Sequence, residues 1–367
     1  MFEGVRDVTI IHAADIHLGS RMRTHLPPEI ADQRRAELRA AFLRLLDEAA
    51  ARGAALVLLA GDVFDSDTPR RHDRDFFFSA IRAHADLQFC YLRGNHDAAG
   101  DIPDDLPNLH TFSDRWTTYD FDGVAVSGRE LPDGKVPADL YDTLPDVPGF
   151  HIVLLHGQTA DAPGEESICP RLFRGRGVSY LALGHVHFYS EAPLDPADPR
   201  GGKFCYPGCL EGRGFDEPGA HGCVLIDTDR TAADGSVSTE FLPLAQRTVR
   251  EYRVDVSAAE DAYGALSLVG AAISCPASDL VRVLLTGEVG FDSDGLADDV
   301  RTCLAGRYFC VSVRDLTRRR ISPEDYAGSL SLRGEFVRAL LAADGLSDDD
   351  RREIFTLGMS ALDGQGL

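Results

Sequence analysis

Residues 56–65 read LVLLAGDVFD: an uninterrupted apolar run, Leu56 to Ala60, then Gly61-Asp62-Val63-Phe64-Asp65. A short apolar run that ends at a glycine is the pattern of a strand buried on both faces, as in a parallel sheet. The glycine lets the backbone turn sharply into the polar segment that follows. Working outward, four more short apolar runs pass into polar fragments that carry Gly, Asp or His. Val8–His12 leads to Asp15-Ile16-His17, and Gln88–Leu92 leads to Gly94-Asn95-His96-Asp97. Ile152–Leu155 leads to His156-Gly157, and Ser179–Ala182 to Gly184-His185-Val186-His187.

The segments between these runs predict helices. Leu38, Phe42, Leu45, Leu46 and Ala49 keep the spacing of one buried helical face, and a second helix is expected over about 73–84. Strand, helix, strand, helix, strand predicts an α/β fold with a parallel sheet. Runs at Val124–Ser127, Phe204–Tyr206 and Cys223–Ile226 predict a second sheet that completes a sandwich.

The pattern changes near residue 245. Strands at Glu251–Val256, Leu280–Leu285 and Tyr308–Val313, with helices between them, predict a small α+β unit. After Arg318-Arg319-Arg320 and a Ser-Pro break come two helices. Leu332, Phe336, Val337, Leu340 and Leu341 are expected to line the first; Ile354, Leu357, Ala361 and Leu362 the second. Ser347, with Asp350 three residues on, is an N-cap signal. The expected division is therefore 1–245, 246–320 and 321–367.

Composition narrows the class. The 367 residues hold 44% hydrophobic and 26% charged side chains, enough to bury a core and unlike a disordered chain. No apolar run reaches the length of a membrane span, and the N-terminus lacks a signal-peptide stretch. The 8 cysteines are scattered without a zinc-ligand spacing, which predicts free thiols in a cytoplasmic protein. Lys+Arg of 37 against Asp+Glu of 59 gives a net charge of −22, so charge alone makes DNA a poor partner.

The five polar fragments carry the chemistry. In D-x-H or H-x-H at a strand end, residues i and i+2 point to the same side and can reach one ion. Carboxylate, imidazole and amide oxygen together suit Mn, Fe or Zn rather than Ca or Mg alone. A single fragment of this kind is common; five in this order, each after a predicted strand, point to a metal site.

This ordered set is similar to that of the calcineurin-like metallophosphoesterase superfamily, a β-sandwich flanked by helices. Asp15-Ile16-His17-Leu18-Gly19, Gly61-Asp62-Val63-Phe64-Asp65 and Tyr206-Pro207-Gly208 further resemble the SbcD-type bacterial DNA repair exonucleases. The resemblance covers residues 5–230 and implies the following roles. Asp15, His17 and His187 would hold one divalent ion, and Asn95, His156 and His185 a second, with Asp62 between the two. Manganese is the expected metal, with iron or zinc as alternatives. Two such ions stabilise the attacking and leaving oxygens of an in-line displacement. His96 would donate to the phosphate, with Asp65 orienting it, while Asp97 is expected to cap backbone.

Arg21 and Arg23 follow the first fragment, and Arg70 and Arg71 the second, where they would meet substrate phosphates at the rim. The resemblance also implies a capping unit over 246–320 that channels DNA and a final helix pair that grips an SMC-like ATPase. It implies a homodimer as well. A stand-alone phosphodiesterase or phosphatase acting on a nucleotide or another small ester is the alternative. From Gln246 onward there are 14 basic and 20 acidic residues, leaving 23 against 39 before it. The catalytic part is thus expected to repel DNA except at the metals and their arginine rim.

Overall fold

The 5-residue strand Leu56–Ala60 is fully buried at every position and sits inside a six-stranded sheet. The computed structural model describes residues 8–22, 26–66, 69–97, 102–231, 236–320 and 323–362. In chain order the elements of the larger part are β1 (Thr9–Ala13), α1 (Pro28–Ala51), β2 (Leu56–Ala60), α2 (Arg71–Ala83), β3 (Gln88–Leu92) and β4 (Leu109–Thr111). There follow β5 (Thr117–Phe121), β6 (Val124–Gly128), β7 (Phe150–His156), β8 (Val178–Gly184), β9 (Ser190–Pro193) and β10 (Lys203–Tyr206). Strands β11 (Gly222–Thr231) and β12 (Val237–Pro243) complete it.

One sheet has the order β12-β11-β1-β2-β3-β4 and the other β5-β6-β7-β8-β10-β9. Strands β1 to β4 run parallel to one another, as do β6, β7, β8 and β10. Alternation along each strand builds two layers of core. Leu56, Leu58, Cys90 and Leu92 face Val126, Ile152, Leu154 and Ala182 between the sheets. Val57, Leu59 and Phe89 point the other way, onto Phe42, Leu45, Phe77 and Ile81 of the helices. The predicted α1 face, Leu38, Phe42, Leu45, Leu46 and Ala49, is buried at every position. The outer face of the second sheet, with Val153, Leu155 and Leu181, is covered by Leu140, Ile168 and Phe173 rather than by long helices.

The strand at Cys223–Ile226, expected in the second sheet, instead pairs antiparallel with β1 in the first. His151 lies fully buried in β7 with Nε2 2.8 Å from Ser127 Oγ. His221, in the loop before β11, is likewise buried.

A buried ion cluster ties α1 to the loop after β10. Arg34, fully buried, donates to Glu37, Glu211 and the Gly212 carbonyl. Glu211, also fully buried, accepts from the backbone N–H of Gln246 as well. Burying a guanidinium is tolerable only with such complete pairing.

The remainder forms a second unit, Tyr252–Cys275, Arg282–Arg307 and Val311–Leu367. The elements after β12 are β13 (Val249–Asp255), α3 (Ala262–Ala272), β14 (Leu280–Thr286), β15 (Glu288–Val289), α4 (Leu296–Leu304), β16 (Cys310–Asp315) and β17 (Arg318–Arg319), with the first residues of β13, β14 and β16 in the first unit. Helices α5 (Pro323–Ala327), α6 (Leu332–Ala342) and α7 (Asp348–Leu362) follow. Ser347 caps α7 by accepting from Asp350 N at 3.1 Å while Asp350 accepts from Ser347 N, a reciprocal capping box. The two helices meet through Val337, Leu340, Phe355 and Met359. The faces therefore differ from those expected: Leu332, Leu341, Ile354 and Leu357 are exposed. Among the described residues no helix is long and apolar enough to cross a membrane, and all eight cysteines are free thiols.

Candidate metal centre

Parallel pairing brings the C-terminal ends of β1, β2 and β3 to one edge, and those of β7 and β8 to one edge of the facing sheet. His156 Nδ1 lies 2.8 Å from the Ala60 carbonyl and joins the two edges. Beyond these ends the backbone is strained. Seven non-glycine residues have positive φ among those described, and Asp15, His17, Asp62 and His185 are four of them. Such conformations cost about 1–3 kcal/mol each and concentrate at functional sites. Close approach demands glycine nearby: a Cβ on Gly94 would run into Asp62 Oδ1 and His156 Cε1.

Two groups of ligand atoms result. Asp15, His17 and His187 form one, and Asp62, His156 and His185 the other, with the atoms of each group within 4.8 Å of one another. Asn95 joins the second group, its Oδ1 lying 3.1 Å from His156 Nε2 and 3.2 Å from His185 Nδ1. Asp62 Oδ2 lies 3.3 Å from His156 Nε2 and 3.9 Å from His17 Nε2, between the two groups. All seven residues expected as ligands are thus brought together.

The donor set fits a pair of divalent ions. His187 Nδ1 lies 2.7 Å from Glu217 Oε1, and His17 Nδ1 lies 3.1 Å from Asp65 Oδ1, outside hydrogen-bond geometry. His17 Nε2 and His187 Nε2 lie 3.2 Å apart, close enough to share a proton or to ligate one cation. An outer carboxylate on an imidazole, as Glu217 is on His187, is the usual support of a metal-ligating histidine. His156 is supported by the Ala60 carbonyl in the same manner.

Electrostatics agree. Burial would raise the Asp62 carboxyl, but His156 and His17 outweigh it and hold it well below the usual carboxylate range. Burial would depress His156, yet Asp62 and Asp15 lift it to about 9, so in the absence of a metal a proton shares the space with Asp62. Burial likewise works to raise Glu217, and the His187 contact and the Arg213 guanidinium hold it well below the usual range.

His96 is exposed at the mouth, its backbone N–H donating to Asp62 Oδ1 at 2.9 Å. Asp65 makes no hydrogen bond to His96 among the described residues; its carboxylate lies 3.1 Å from His17 Nδ1 and accepts from the Arg213 guanidinium at 3.1 Å. Asp97 caps backbone, accepting from Val63 N, Phe64 N and Gly94 N at 3.2, 2.8 and 3.0 Å. It thereby locks the Asp62 loop to the Asn95 loop.

Beside the centre is a cavity of about 630 Å³ lined by Arg21, Arg70, Asp65, Asp73, Arg213 and Glu217, among others. Arg71 is not among them; it is 94% exposed and lies 3.5 Å from Asp75. Arg23 falls outside the described residues. Sequence reasoning missed Arg213 and Glu217, which lie in the glycine-rich loop after Tyr206-Pro207-Gly208.

Comparison with known proteins agrees with this geometry. Residues 8–189 match the family model described as calcineurin-like phosphoesterase. An uncharacterized metallophosphoesterase of Bacillus subtilis (strain 168), YhaO, is 28% identical over 277 residues, covering 70% of this chain. The chain spans 65% of that relative's length. Among solved structures, TT1561 of Thermus thermophilus superposes with a TM-score of 0.40 at 15% identity, over 67% of this chain and 100% of that one. A dimetal phosphatase from Danio rerio gives 0.39 at 10% identity, over 61% and 93%. At those scores the two structures add nothing to the assignment, which rests on the matched segment and the ligand groups. Residues 8–189 are thus similar to the calcineurin-like phosphoesterases, and the two ligand groups suit a metal-dependent phosphoester hydrolase.

Proposed function

We propose that the chain is a two-metal phosphodiesterase that acts on DNA as an exonuclease and endonuclease of the SbcD type, in DNA-end or double-strand-break repair. The observation that supports a nucleic-acid substrate is the cavity beside the metal centre. Arg21 and Arg70 both line it, and neither guanidinium makes an ion pair among the described residues. Arginines left unpaired beside a phosphoester-cleaving centre suit flanking phosphates, which they can hold bidentately. Phe188 and Tyr189, exposed immediately after His187, offer aromatic surface to bases.

When bound, two divalent ions, manganese in this reading, supply Lewis acidity and a nucleophile from water near neutral pH. The chain's own groups do the rest. His96 donates to a non-bridging or leaving oxygen. Arg21 and Arg70 fix the neighbouring phosphate, and Asp97 keeps the Asp62 and Asn95 loops in register. Residues 246–320 serve as a cap that channels DNA. The helix pair of 321–367 docks on an SMC-like ATPase, a role suited to its exposed Leu330, Leu332, Leu341, Ile354 and Leu357. A homodimer and a cytoplasmic setting complete this reading.

One observation favours a second reading. The excess of acidic residues, −22 overall, disfavours a polyanion and suits a stand-alone enzyme for a nucleotide or other small ester. Purified chain with Mn, assayed on labelled single- and double-stranded DNA and on a chromogenic phosphodiester, separates the two. Metal-dependent DNA cleavage supports the nuclease. Hydrolysis of the small ester with DNA untouched, even with the ATPase added, overturns it.

A further inference from the structure

We propose that Arg213 is a positioning residue: one guanidinium that, by bridging Asp65 and Glu217, fixes both imidazoles of one ion site. The proposal rests on the reading of Asp15, His17 and His187 as metal ligands.

The two carboxylates come from distant parts of the chain and are joined by this one side chain. Arg213 Nη1 donates to Asp65 Oδ1 at 3.1 Å. Its Nη2 and Nε donate to Glu217 Oε1 at 2.8 and 3.1 Å, and its backbone N–H to Glu217 Oε2 at 2.7 Å. Asp65 in turn faces His17 Nδ1, and Glu217 faces His187 Nδ1. A planar fork with fixed donor directions holds two acids at once; an ammonium group presents a single point of charge and cannot.

The arrangement also decides which nitrogen of His187 carries the proton. Arg213 Nη2 lies 3.0 Å from His187 Nδ1 and competes with Glu217 for it. While Glu217 is an acceptor there, Nδ1 keeps its hydrogen and Nε2 offers a lone pair toward His17. An amide keeps one acceptor oxygen where the carboxylate has two and carries no charge, so the hold on the Nδ1 hydrogen weakens beside the Arg213 donor and the other tautomer gains population. The hydrogen then sits on Nε2, where a cation would bind. The second group is insulated from this clamp, since His156 is oriented by the Ala60 carbonyl. Damage to the clamp should therefore reach one ion and spare the other.

Full-length wild type, Arg213→Lys and Glu217→Gln would be titrated with Mn²⁺ by calorimetry. Nitrogen-15 spectra of the histidine rings of the metal-free proteins would report tautomers, and apo melting curves would report folding. The expected result is two Mn²⁺ per wild-type chain and, in each variant, about a 10–100-fold loss of affinity at one site with the other unchanged. In Glu217→Gln, His187 should also move from the Nδ1–H to the Nε2–H form. Folded variants that bind both ions as wild type does, with His187 unmoved, overturn the proposal. A wild-type chain that binds fewer than two ions overturns the underlying metal-site reading instead. If Arg213→Lys fails to fold, the tautomer and affinities of Glu217→Gln decide alone.

Discussion

Replacing Arg34 by methionine tests whether the buried ion cluster holds the loop that carries Arg213 and Glu217. The guanidinium donates from Nη1 to Glu37 Oε2 at 2.5 Å and Glu211 Oε1 at 2.8 Å, and from Nη2 to the Gly212 carbonyl at 2.5 Å. Methionine keeps most of the aliphatic stem, so the loss is confined to these three bonds. Stripping a buried ion pair of one partner typically costs about 3–5 kcal/mol. Here the acids are not stripped bare. Glu37 retains Arg247 at 2.8 Å, and Glu211 retains Arg44 at 3.4 Å and the backbone N–H of Gln246. Against that, the Gly212 carbonyl loses its Arg34 donor, at about 1–3 kcal/mol. Removing Arg34 Nε, which is buried without a hydrogen-bond partner, returns part of the cost. The net is about 3 kcal/mol of destabilisation. At roughly 2–4 °C per kcal/mol for a domain of this size, the midpoint should fall by about 6–12 °C. Arg35→Met is the control, since Arg35 pairs with the exposed Asp32 and should shift stability by no more than ~0.5 kcal/mol. Differential scanning calorimetry of the full-length proteins measures both. An Arg34→Met midpoint within about 2 °C of wild type, alongside the control, refutes the reasoning.

His96→Ala should lower kcat by about 10²–10⁴ while two metal ions stay bound, read by steady-state kinetics and metal analysis; loss of metal would move His96 into the binding shell. Arg21→Gln and Arg70→Gln should weaken DNA binding uniformly across sequences and each reduce the slope of log affinity against log salt by about 0.9. An unchanged slope removes them from the phosphate path. His12 is buried against Tyr180, Nδ1 to hydroxyl 3.0 Å, and burial depresses its pKa to about 3. Below about pH 6.5 the unfolded chain takes up a proton that the folded chain refuses. Stability should therefore fall by about 1.4 kcal/mol per pH unit from this group, and the slope should flatten in His12→Gln. Urea melts at about pH 6.5, 5.5 and 4.5 measure it.

Much of the fold and most of the metal centre are legible in the sequence, for a physical reason. Strands such as Leu56–Ala60 and Gln88–Leu92 are buried on both faces and must be apolar throughout, so their runs stand out. Their C-terminal ends share an edge because parallel pairing requires it, and short polar fragments after each run therefore converge. Edge strands are different. Thr117–Phe121 alternates between half-buried and exposed, and Ser190–Pro193 is exposed over its first half and only half-buried over the rest, so neither leaves an apolar run. The faces of α6 and α7 are ambiguous in sequence because each helix carries more apolar residues than its partner covers. Val337, Leu340, Phe355 and Met359 are buried, while Leu332 and Leu357 are not. Arg213 and Glu217 escape a sequence reading because their partners, Asp65 and His187, are brought to them by tertiary structure. No local periodicity encodes a contact of that kind. Asp65 stands out as functional but meets a different imidazole from the one expected, for the same reason: its neighbour is set by packing, not by spacing.

The central claim is that the ends of β1, β2, β3, β7 and β8 build one two-ion hydrolytic centre with Asp62 between the ions. Its most direct test is to titrate metal-free chain with Mn²⁺ while counting bound ions and following phosphodiester hydrolysis, in wild type and in Asp62→Asn. The account predicts two ions per wild-type chain, activity that appears with the second, and weakened binding at both sites in the variant. Full hydrolysis by metal-free or singly loaded chain, or an Asp62→Asn chain that binds and cleaves like wild type, would contradict it.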